Sequence, residues 1–245
     1  MKYNKIVLLS PVWRCGSTWI QRCLNSSDDL IVWGENHDLI KSLREKYDIY
    51  NSIENRKEGE YAKKIYDTDG KEFNNWIANS NPPKELFIDS VRKLLDNFYY
   101  KDNKRWGFKE VRYGIEEIKF LNMIYDDIGY IFLVRDIIDS YHSYRYFIRK
   151  NRQISLDKYI KIYTKRVKDF INYNRDNNNA ILVRYEDLDY KKMCEIVKFA
   201  GIEPNKMTEE AYHKKIGGSK KKELLNDHQL NKLKSAPIRG MMNYG

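Results

Sequence analysis

The sequence has little cysteine and no long apolar segment, and each shortage excludes a class of protein. Its 3 cysteines, Cys15, Cys23 and Cys194, are odd in number and lack the paired spacing of metal ligands. Neither a disulfide framework nor a cysteine-bound metal is therefore expected. No apolar run approaches the ~18 residues that a membrane-spanning helix needs. The N-terminal apolar run is broken at Pro11, too early for a secretory signal peptide, so we expect a cytoplasmic protein without a membrane span.

Repeats and low-complexity segments are also missing, which favours a single domain over residues 1–245. That length fits one α/β domain, and a hydrophobic content of 42% is enough to fill its core. The net charge of +10 suggests an anionic partner. However, lysine is spread over the whole chain and the sequence lacks an interleaved aromatic-basic motif of the kind that reads nucleic acid, so we do not expect a nucleic-acid partner. The densest basic cluster, at residues 214–222, is either a loop near a ligand or ordinary surface.

Short apolar segments alternate with segments of helical periodicity along the chain. The apolar segments have the length of buried strands and cover residues 5–9, 30–33, 105–110, 130–134 and 180–183. The helical patterns cover residues 17–25, 38–50, 84–100, 115–125, 137–150, 156–174, 189–200 and 206–214. Near-continuous apolar strands that alternate with helices are typical of a parallel sheet covered on both faces. The sequence therefore predicts an α/β fold, a three-layer sandwich with a central parallel sheet of about five strands.

The loop after the first predicted strand has features of an anion site, although it lacks residues of the common phosphate loop. That loop has the pattern G-x-x-x-x-G-K-[ST], but here no glycine stands five residues before Gly16 and no lysine lies between Gly16 and Ser17. The N–H groups and dipole of the following helix attract an anion, Arg14 adds a positive charge, and Ser17 and Thr18 add hydroxyls. We expect the loop to bind a phosphate-bearing ligand and Cys15 to be a small filler rather than a reactive thiol.

The carboxyl ends of parallel strands lie at one edge of a sheet, and ligands of α/β proteins bind at that edge. Applied to the predicted strands, this rule selects several groups of polar residues. They are residues 14–18, residues 35–37, Lys109, Arg135 and residues 185–186. We therefore expect these groups to form a single site.

Four of these strand ends together resemble the sulfotransferases that use 3′-phosphoadenylyl sulfate (PAPS). Residues 14–19, Arg-Cys-Gly-Ser-Thr-Trp, are similar to the family's 5′-phosphosulfate loop. Arg135 after a strand, with Ser143 eight residues later, resembles the 3′-phosphate motif. Lys109 falls where family members carry a catalytic lysine, and Tyr185 lies in an element like the one that follows their last core strand. The resemblance covers residues 5–190 and is specific only as a set.

The resemblance implies a P-loop-NTPase-like sulfotransferase fold and transfer of a sulfuryl group from PAPS to a hydroxyl or amine, with no metal required. The donor then leaves as adenosine 3′,5′-bisphosphate (PAP). Arg14 and Lys109 are implied to be catalytic, because they would neutralise charge on the leaving phosphate. The implied PAPS-binding residues are Arg14, Cys15, Gly16, Ser17, Thr18, Trp19, Arg135, Ser143 and Tyr185. Trp19 and Tyr185 are candidates to stack on adenine, and ordinary core aromatics are the alternative interpretation.

The general base is the least determined part of the predicted site. Cytosolic sulfotransferases carry a histidine two residues after the catalytic lysine, and that position is Val111 here. The tyrosylprotein branch uses a glutamate in a Gly-Glu pair after the second strand, and Gly34-Glu35 resembles that pair. We therefore expect Glu35 to take the acceptor's proton, with His37 and Glu110 as alternatives. Glu35 could otherwise serve only to complement the next helix N-terminus.

Other features stay open at this point. Residues 36–104 are the predicted acceptor-side helical region. Their tyrosines and tryptophans suit a small aromatic or amphipathic molecule as acceptor, and peptide, glycan and lipid acceptors stay open as alternatives. The Arg-Lys-Gly element that closes over the 3′-phosphate in relatives has only weak counterparts, Arg239-Gly240 or residues 217–222. Two other functions are an ATP-dependent small-molecule kinase, which the missing phosphate-loop lysine disfavours, and a non-catalytic polyanion binder, motivated only by charge. The sequence gives no prediction of oligomeric state.

Overall fold

The apolar segments form one parallel sheet in the computed structural model, which describes residues 3–54, 83–148, 153–214 and 225–238. The strands are β1 (Lys5–Leu9), β2 (Leu30–Trp33), β3 (Arg105–Glu110), β4 (Ile128–Val134) and β5 (Ala180–Arg184). Their order is β2-β3-β1-β4-β5, and every pairing is parallel. The predicted α/β fold with a parallel sheet of five strands is confirmed. Strand β4 begins at residue 128, before the position that the apolar pattern indicated.

The strands end nearly level with one another at their carboxyl ends. Leu9 of β1 pairs with Glu110 of β3 and with Phe132 of β4, and Val134 of β4 pairs with Arg184 of β5. Strand β1 lies at the centre, with β3 and β2 on one side and β4 and β5 on the other. The loop after β1 therefore lies between the loops that follow β3 and β4, at the switch point where α/β proteins bind ligands.

Helices flank the sheet, and in the described ranges six of them lie between strands and three follow β5. They are α1 (Ser17–Leu24), α2 (Leu39–Glu54), α3 (Lys84–Tyr99), α4 (Ile115–Ile124), α5 (Ile137–Phe147), α6 (Leu156–Asp176), α7 (Tyr190–Phe199), α8 (Lys206–His213) and α9 (Asp227–Lys234). The first eight correspond to helical patterns in the sequence, with different end points. Helix α9 was not predicted, since the sequence there suggested only a C-terminal tail. None of the helices in the described ranges is both long and apolar enough to cross a membrane.

Some of the sequence-based expectations fall on residues outside the described ranges. These are most of the loop expected at residues 79–83, the last two residues of the helix expected at 137–150, and both candidates for the closing element, residues 217–222 and Arg239-Gly240. The acceptor-side region at residues 36–104 is described only over residues 36–54 and 83–104.

Aromatic packing holds α6 against the centre of the sheet. Phe132 of β4 and Phe170 of α6 stack with their ring centroids 4.5 Å apart, and Tyr173 meets Phe132 edge-on. Phe132 and Phe170 have no exposed surface, and burying each such side chain stabilises the fold by ~1.5–3 kcal/mol. From the same helix, the hydroxyl of Tyr163 donates to the carbonyl of Arg135. The packing of α6 therefore fixes the backbone at the carboxyl end of β4.

Candidate active site

Two residues with left-handed backbone conformation shape the loop between β1 and α1. Arg14 has φ 72° and Gly16 has φ 100°, a region that glycine enters without the steric cost that other residues incur. Gly16 is also the N-cap of α1, and a Cβ atom there would lie 2.4 Å from a ring carbon of Tyr185. Tyr185 begins the 3₁₀ turn that follows β5. Its ring therefore packs directly on the backbone at the N-terminus of α1.

The side chain of Arg14 reaches across the loop to the end of α5. Its Nε donates to Ser143 Oγ over 3.3 Å, and its guanidinium lies 3.8 Å from the centre of the Phe147 ring. Desolvation, and then the nearby charge of Arg135, lower the pKa of Arg14, although an arginine stays protonated at neutral pH. The two predicted phosphate motifs, 129 residues apart in the chain, are thus in direct contact.

Arg135 approaches the same loop from the end of β4. Its Nη1 donates to the carbonyl of Arg14 over 3.2 Å, and its guanidinium lies 4.4 Å from the centre of the Tyr185 ring. The Nε of Arg135 is buried and has no hydrogen-bond partner among the described residues. The structure therefore brings Arg14, Arg135, Ser143 and Tyr185 together around Gly16, with a buried donor that an anion would satisfy.

Trp19 in the first helix has a structural partner in addition to its predicted role. Its indole N–H donates to the carbonyl of Tyr212 over 2.9 Å, and the Trp19 and Tyr212 rings lie 5.0 Å apart. The Tyr185 ring lies 6.2 Å away on an edge-on approach. These contacts join α1 to α8 and form an aromatic cluster beside the loop, where stacking of Trp19 on adenine stays a prediction.

The remaining loop residues differ in exposure. Cys15 is fully buried, and burial raises the pKa of its thiol to about 12, so the thiol is neutral and unreactive at physiological pH. This agrees with its interpretation as a small loop filler. Ser17 is buried at the start of α1, whereas Thr18 is exposed. Their predicted contacts with a phosphate stay predictions.

An alternating row of charged side chains lies at the carboxyl ends of β3 and β2. Lys109 Nζ lies 2.8 Å from Glu35 Oε1, and Arg112 Nη2 lies 3.2 Å from Glu35 Oε2. Arg112 Nη1 then lies 2.9 Å from Glu110 Oε1. Two carboxylates and two cations therefore alternate in the order Lys109, Glu35, Arg112, Glu110. The ring of Trp13 lies 5.8 Å from the Arg112 guanidinium and connects this row to the loop after β1.

The three candidates for the general base lie in different surroundings. Glu110 has no exposed surface, and burial raises the pKa of its carboxyl although hydrogen bonds from Val111 N–H and the charge of Arg112 oppose the shift. His37 is exposed, in a left-handed conformation with φ 51°. Glu35 is partly exposed and directly bonded to Lys109. Of the three, Glu35 is the one that is both partly exposed and hydrogen-bonded to Lys109, and its role as the base stays a prediction.

Two arginines of this region were not selected from the sequence. Arg112 lies just beyond β3, and the strand-end rule that selected Lys109 would have included it had the selection extended three residues further. Arg166 of α6 donates to the carbonyls of Pro11, over 2.7 Å, and Val111, over 3.0 Å, and also to that of Arg112. A mid-helix arginine carries no local signal for such contacts. Arg166 joins the loop after β1 to the loop after β3.

No group of three or more His, Cys, Asp or Glu side chains that could hold a metal ion occurs in the described part of the chain. Among the described residues, the cations of the candidate site include Arg14, Arg135, Lys109 and Arg112.

Comparison with known families identifies the chain. A sequence profile described as "Sulfotransferase family" matches residues 7–203. This range contains the residues around Arg14 and Arg135 as well as the charged row that includes Lys109 and Glu35. The chain belongs to the sulfotransferase family. Comparison with curated protein sequences gave no match.

Solved sulfotransferase structures share the fold at low sequence identity. The sulfotransferase domain of the Synechococcus PCC 7002 olefin synthase is similar with a TM-score of 0.53 and 18% identity, covering 96% of this chain and 88% of its own. The sulfotransferase domain from the curacin biosynthetic pathway has a TM-score of 0.55 and 16% identity, with coverages of 98% and 97%. A sulfotransferase from Alicyclobacillus acidocaldarius has a TM-score of 0.51 and 11% identity, with coverages of 95% and 90%. These likenesses support the sulfotransferase fold.

Proposed function

We propose that this sulfotransferase uses PAPS as its donor and transfers the sulfuryl group to a hydroxyl or amine of an acceptor, leaving PAP. The observation that carries the proposal is the contact between Arg14 Nε and Ser143 Oγ at 3.3 Å, together with the bond from Arg135 to the Arg14 carbonyl. A donor with a 5′-phosphosulfate and a 3′-phosphate needs two adjacent anion sites. The N-terminus of α1 with Arg14 provides the first, and Arg135 with Ser143 provides the second.

The binding roles that we propose use these positions. Arg14 and the N–H groups at the start of α1, contributed by Gly16, Ser17 and Thr18, hold the 5′-phosphosulfate. The buried Nε of Arg135 and the hydroxyl of Ser143 hold the 3′-phosphate. Trp19 and Tyr185 contact the adenine of the donor, and the backbone at Cys15 completes the loop. Residues 36–104 contribute to acceptor binding, and the acceptor is a small molecule, a peptide or a glycan. The whole site belongs to a single domain over residues 1–245.

The chemistry assigned to the side chains is proton transfer and charge neutralisation. PAPS supplies the activated sulfuryl group. Glu35 accepts the proton of the acceptor hydroxyl as its oxygen bonds to sulfur, and the electrons of the breaking S–O bond pass to the 5′-phosphate oxygen. Lys109 and Arg14 neutralise the charge on that oxygen, and preorganised charge of this kind is usually the largest catalytic contribution. These cations supply the charge that a metal provides in phosphoryl transfer, so we propose a metal-independent reaction. We place it in the cytoplasm, in keeping with three free cysteines.

Calorimetric binding of PAP tests the donor assignment. An arginine–phosphate hydrogen bond contributes ~1.5–3 kcal/mol, so Arg135→Ala should weaken PAP binding ~10–100-fold. Ser143→Ala, which removes a neutral hydroxyl worth ~1 kcal/mol, should weaken it ~5-fold. Arg44→Ala, which removes an arginine paired with Glu117 and Asp48 on the helices, is the matched control and should bind PAP normally. Wild-type protein that does not bind PAP, or that binds ATP as tightly as PAP, contradicts the proposal.

A screen with labelled PAPS against an acceptor library tests the chemistry. Wild-type protein should transfer label to at least one hydroxyl or amine acceptor. Because a positioned general base contributes ~10²–10⁴-fold, Glu35→Gln should lower kcat by at least ~100-fold without abolishing PAP binding. Full activity of Glu35→Gln would reject the assignment of the base.

A further inference from the structure

We propose that Arg112 is a positioning residue that holds Glu35 in its productive orientation while Lys109 engages the donor. The inference rests on the proposed function, in which Glu35 is the base and Lys109 neutralises the leaving phosphate. It adds a residue that the sulfotransferase motifs in the sequence do not include.

The two oxygens of Glu35 have different cationic partners. Oε1 accepts from Lys109 over 2.8 Å, and Oε2 lies 3.2 Å from Arg112 Nη2. Lys109 has a second task in the reaction, because it must direct its charge to the oxygen that leaves with the 5′-phosphate. When Lys109 turns towards that oxygen, the bond to Oε1 is shared or lost. Arg112 is then the remaining cation on Glu35, and it keeps the carboxylate from rotating away from the acceptor.

Hydrogen bonds from neighbouring elements fix Asn36, but the Glu35 carboxylate itself is oriented by Lys109 and Arg112. Glu35 lies in the segment between β2 and α2, where His37 has φ 51° and Asp38 has φ 69°. Both are non-glycine residues in the left-handed region, so this segment is an irregular turn rather than a strand or helix. A side chain on such a segment needs support from a neighbouring element to hold its position within the ~0.5 Å that catalysis demands.

Arg112 is itself fixed at both ends, which makes it suited to this role. Its Nη1 lies 2.9 Å from Glu110 Oε1. The Glu110 carboxylate is fully buried and accepts from the N–H groups of Val111, at 2.8 Å, and Asn36, at 3.2 Å. The carbonyl of Arg112 accepts from Arg166 of α6. Arg112 therefore connects Glu35 to β3 and α6, which belong to the packed core.

The planar guanidinium is essential to this bridge. Two of its nitrogens reach two carboxylates at the same time, which the single ammonium group of lysine does not do with the same geometry. Arg112→Lys should therefore keep the local charge but restore the function only in part. Arg112→Gln removes the charge and the fork together.

The test is a mutant cycle on donor turnover, measured as PAP released from PAPS, with the acceptor from the labelled screen and also with water alone. Since small misplacements of a catalytic group cost up to ~10²-fold, Arg112→Gln should lower kcat ~10–100-fold. The KM for PAPS should change less than ~3-fold. Arg112→Lys should recover part of the loss. In a Glu35→Gln background, Arg112→Gln should add less than ~2-fold, because a positioning residue acts only through its target.

Arg175→Gln is the control, because Arg175 pairs with Asp176 at the end of α6, outside the residues that we assign to the donor, the acceptor or the proton transfer. It should leave kcat unchanged. If Arg112→Gln does not fold, Glu110→Gln loosens the far end of the bridge and should lower kcat ~3-fold, again without effect in the Glu35→Gln background.

Two results overturn the inference alone. One is unchanged kcat in Arg112→Gln. The other is a loss of kcat that is as large in the Glu35→Gln background as in the wild type, which would show that Arg112 acts independently of Glu35. Wild-type protein that neither binds PAP nor releases it from PAPS would instead reject the proposed function.

Discussion

Replacing Gly16 with alanine tests how tightly the loop after β1 is built. Two separate costs follow from the structure. At φ 100° an alanine is strained, which costs ~1–2 kcal/mol. The new Cβ would also lie 2.4 and 2.5 Å from two carbons of the Tyr185 ring, and overpacking of this kind costs ~1–3 kcal/mol. Gly16→Ala should therefore lower the free energy of unfolding by ~2–5 kcal/mol.

The Tyr185 ring cannot move aside without further loss. It lies 4.4 Å from the Arg135 guanidinium and 6.2 Å from the Trp19 ring, so its displacement disturbs the cation that we assign to the 3′-phosphate. Gly16→Ala should consequently weaken PAP binding as well as lower the Tm. For a domain of this size ~1 kcal/mol corresponds to ~2–4 °C, so the Tm should fall by at least ~4 °C.

Gly201→Ala is the control that separates the two costs. Gly201 also has a positive φ of 72°, but an added Cβ would lie 3.5 Å from its nearest neighbour, Arg105 Nη1, which is an ordinary contact. It should show the backbone strain alone. In a Tyr185→Ala background, Gly16→Ala should likewise show only that strain.

The measurement is urea unfolding followed by circular dichroism, with the midpoint and slope compared across the variants. The reasoning is refuted if Gly16→Ala is no more destabilising than Gly201→Ala. It is equally refuted if removing the Tyr185 ring leaves the cost of Gly16→Ala unchanged.

Two further predictions concern stability. Burial raises the pKa values of Cys15 and Tyr99 to about 12, above their unfolded values of ~8.5 and ~10. The folded state then binds more protons than the unfolded state, so stability should fall as the pH rises from ~9 towards 12, and a urea midpoint that stays constant from pH 8 to pH 10.5 would contradict this. Arg166→Met leaves three carbonyls without their donor at ~1 kcal/mol or more each, so the Tm should fall by ~6–12 °C, with partial recovery in Arg166→Lys; an unchanged Tm in a thermal scan would count against the role of Arg166.

The five strands could be predicted because their signals are local. Each strand is a short apolar run, and a rule of α/β topology then placed Arg14, Lys109 and Arg135 at one edge without any knowledge of contacts. In the structure, Arg135 donates to the carbonyl of Arg14 and Lys109 donates to Glu35. Such contacts are expected of residues that lie at one edge of the sheet.

The contacts that organise the site could not be predicted from the sequence because they are long-range. Arg166 reaches Pro11 across 155 residues, and Trp19 bonds to Tyr212 across 193. No periodicity reports such contacts. Helix α9 is a different case, because Asn226 and Gln229 form a capping box that is visible in the sequence. Because most of its residues are polar, the segment resembled a C-terminal tail and the helix was not predicted.

The central position of β1 has a consequence for the order in which the chain folds. Although β1 is the first strand in the sequence, both of its neighbours come much later, β3 at residues 105–110 and β4 at residues 128–134. The bond from Trp19 to Tyr212 comes later still. On a ribosome, where the N-terminal part of a chain emerges first, the loop after β1 is synthesised early, but its contacts form only after the later strands and helices have been made. High contact order of this kind slows folding. The loop after β1 can reach its final structure only when nearly the whole domain has folded.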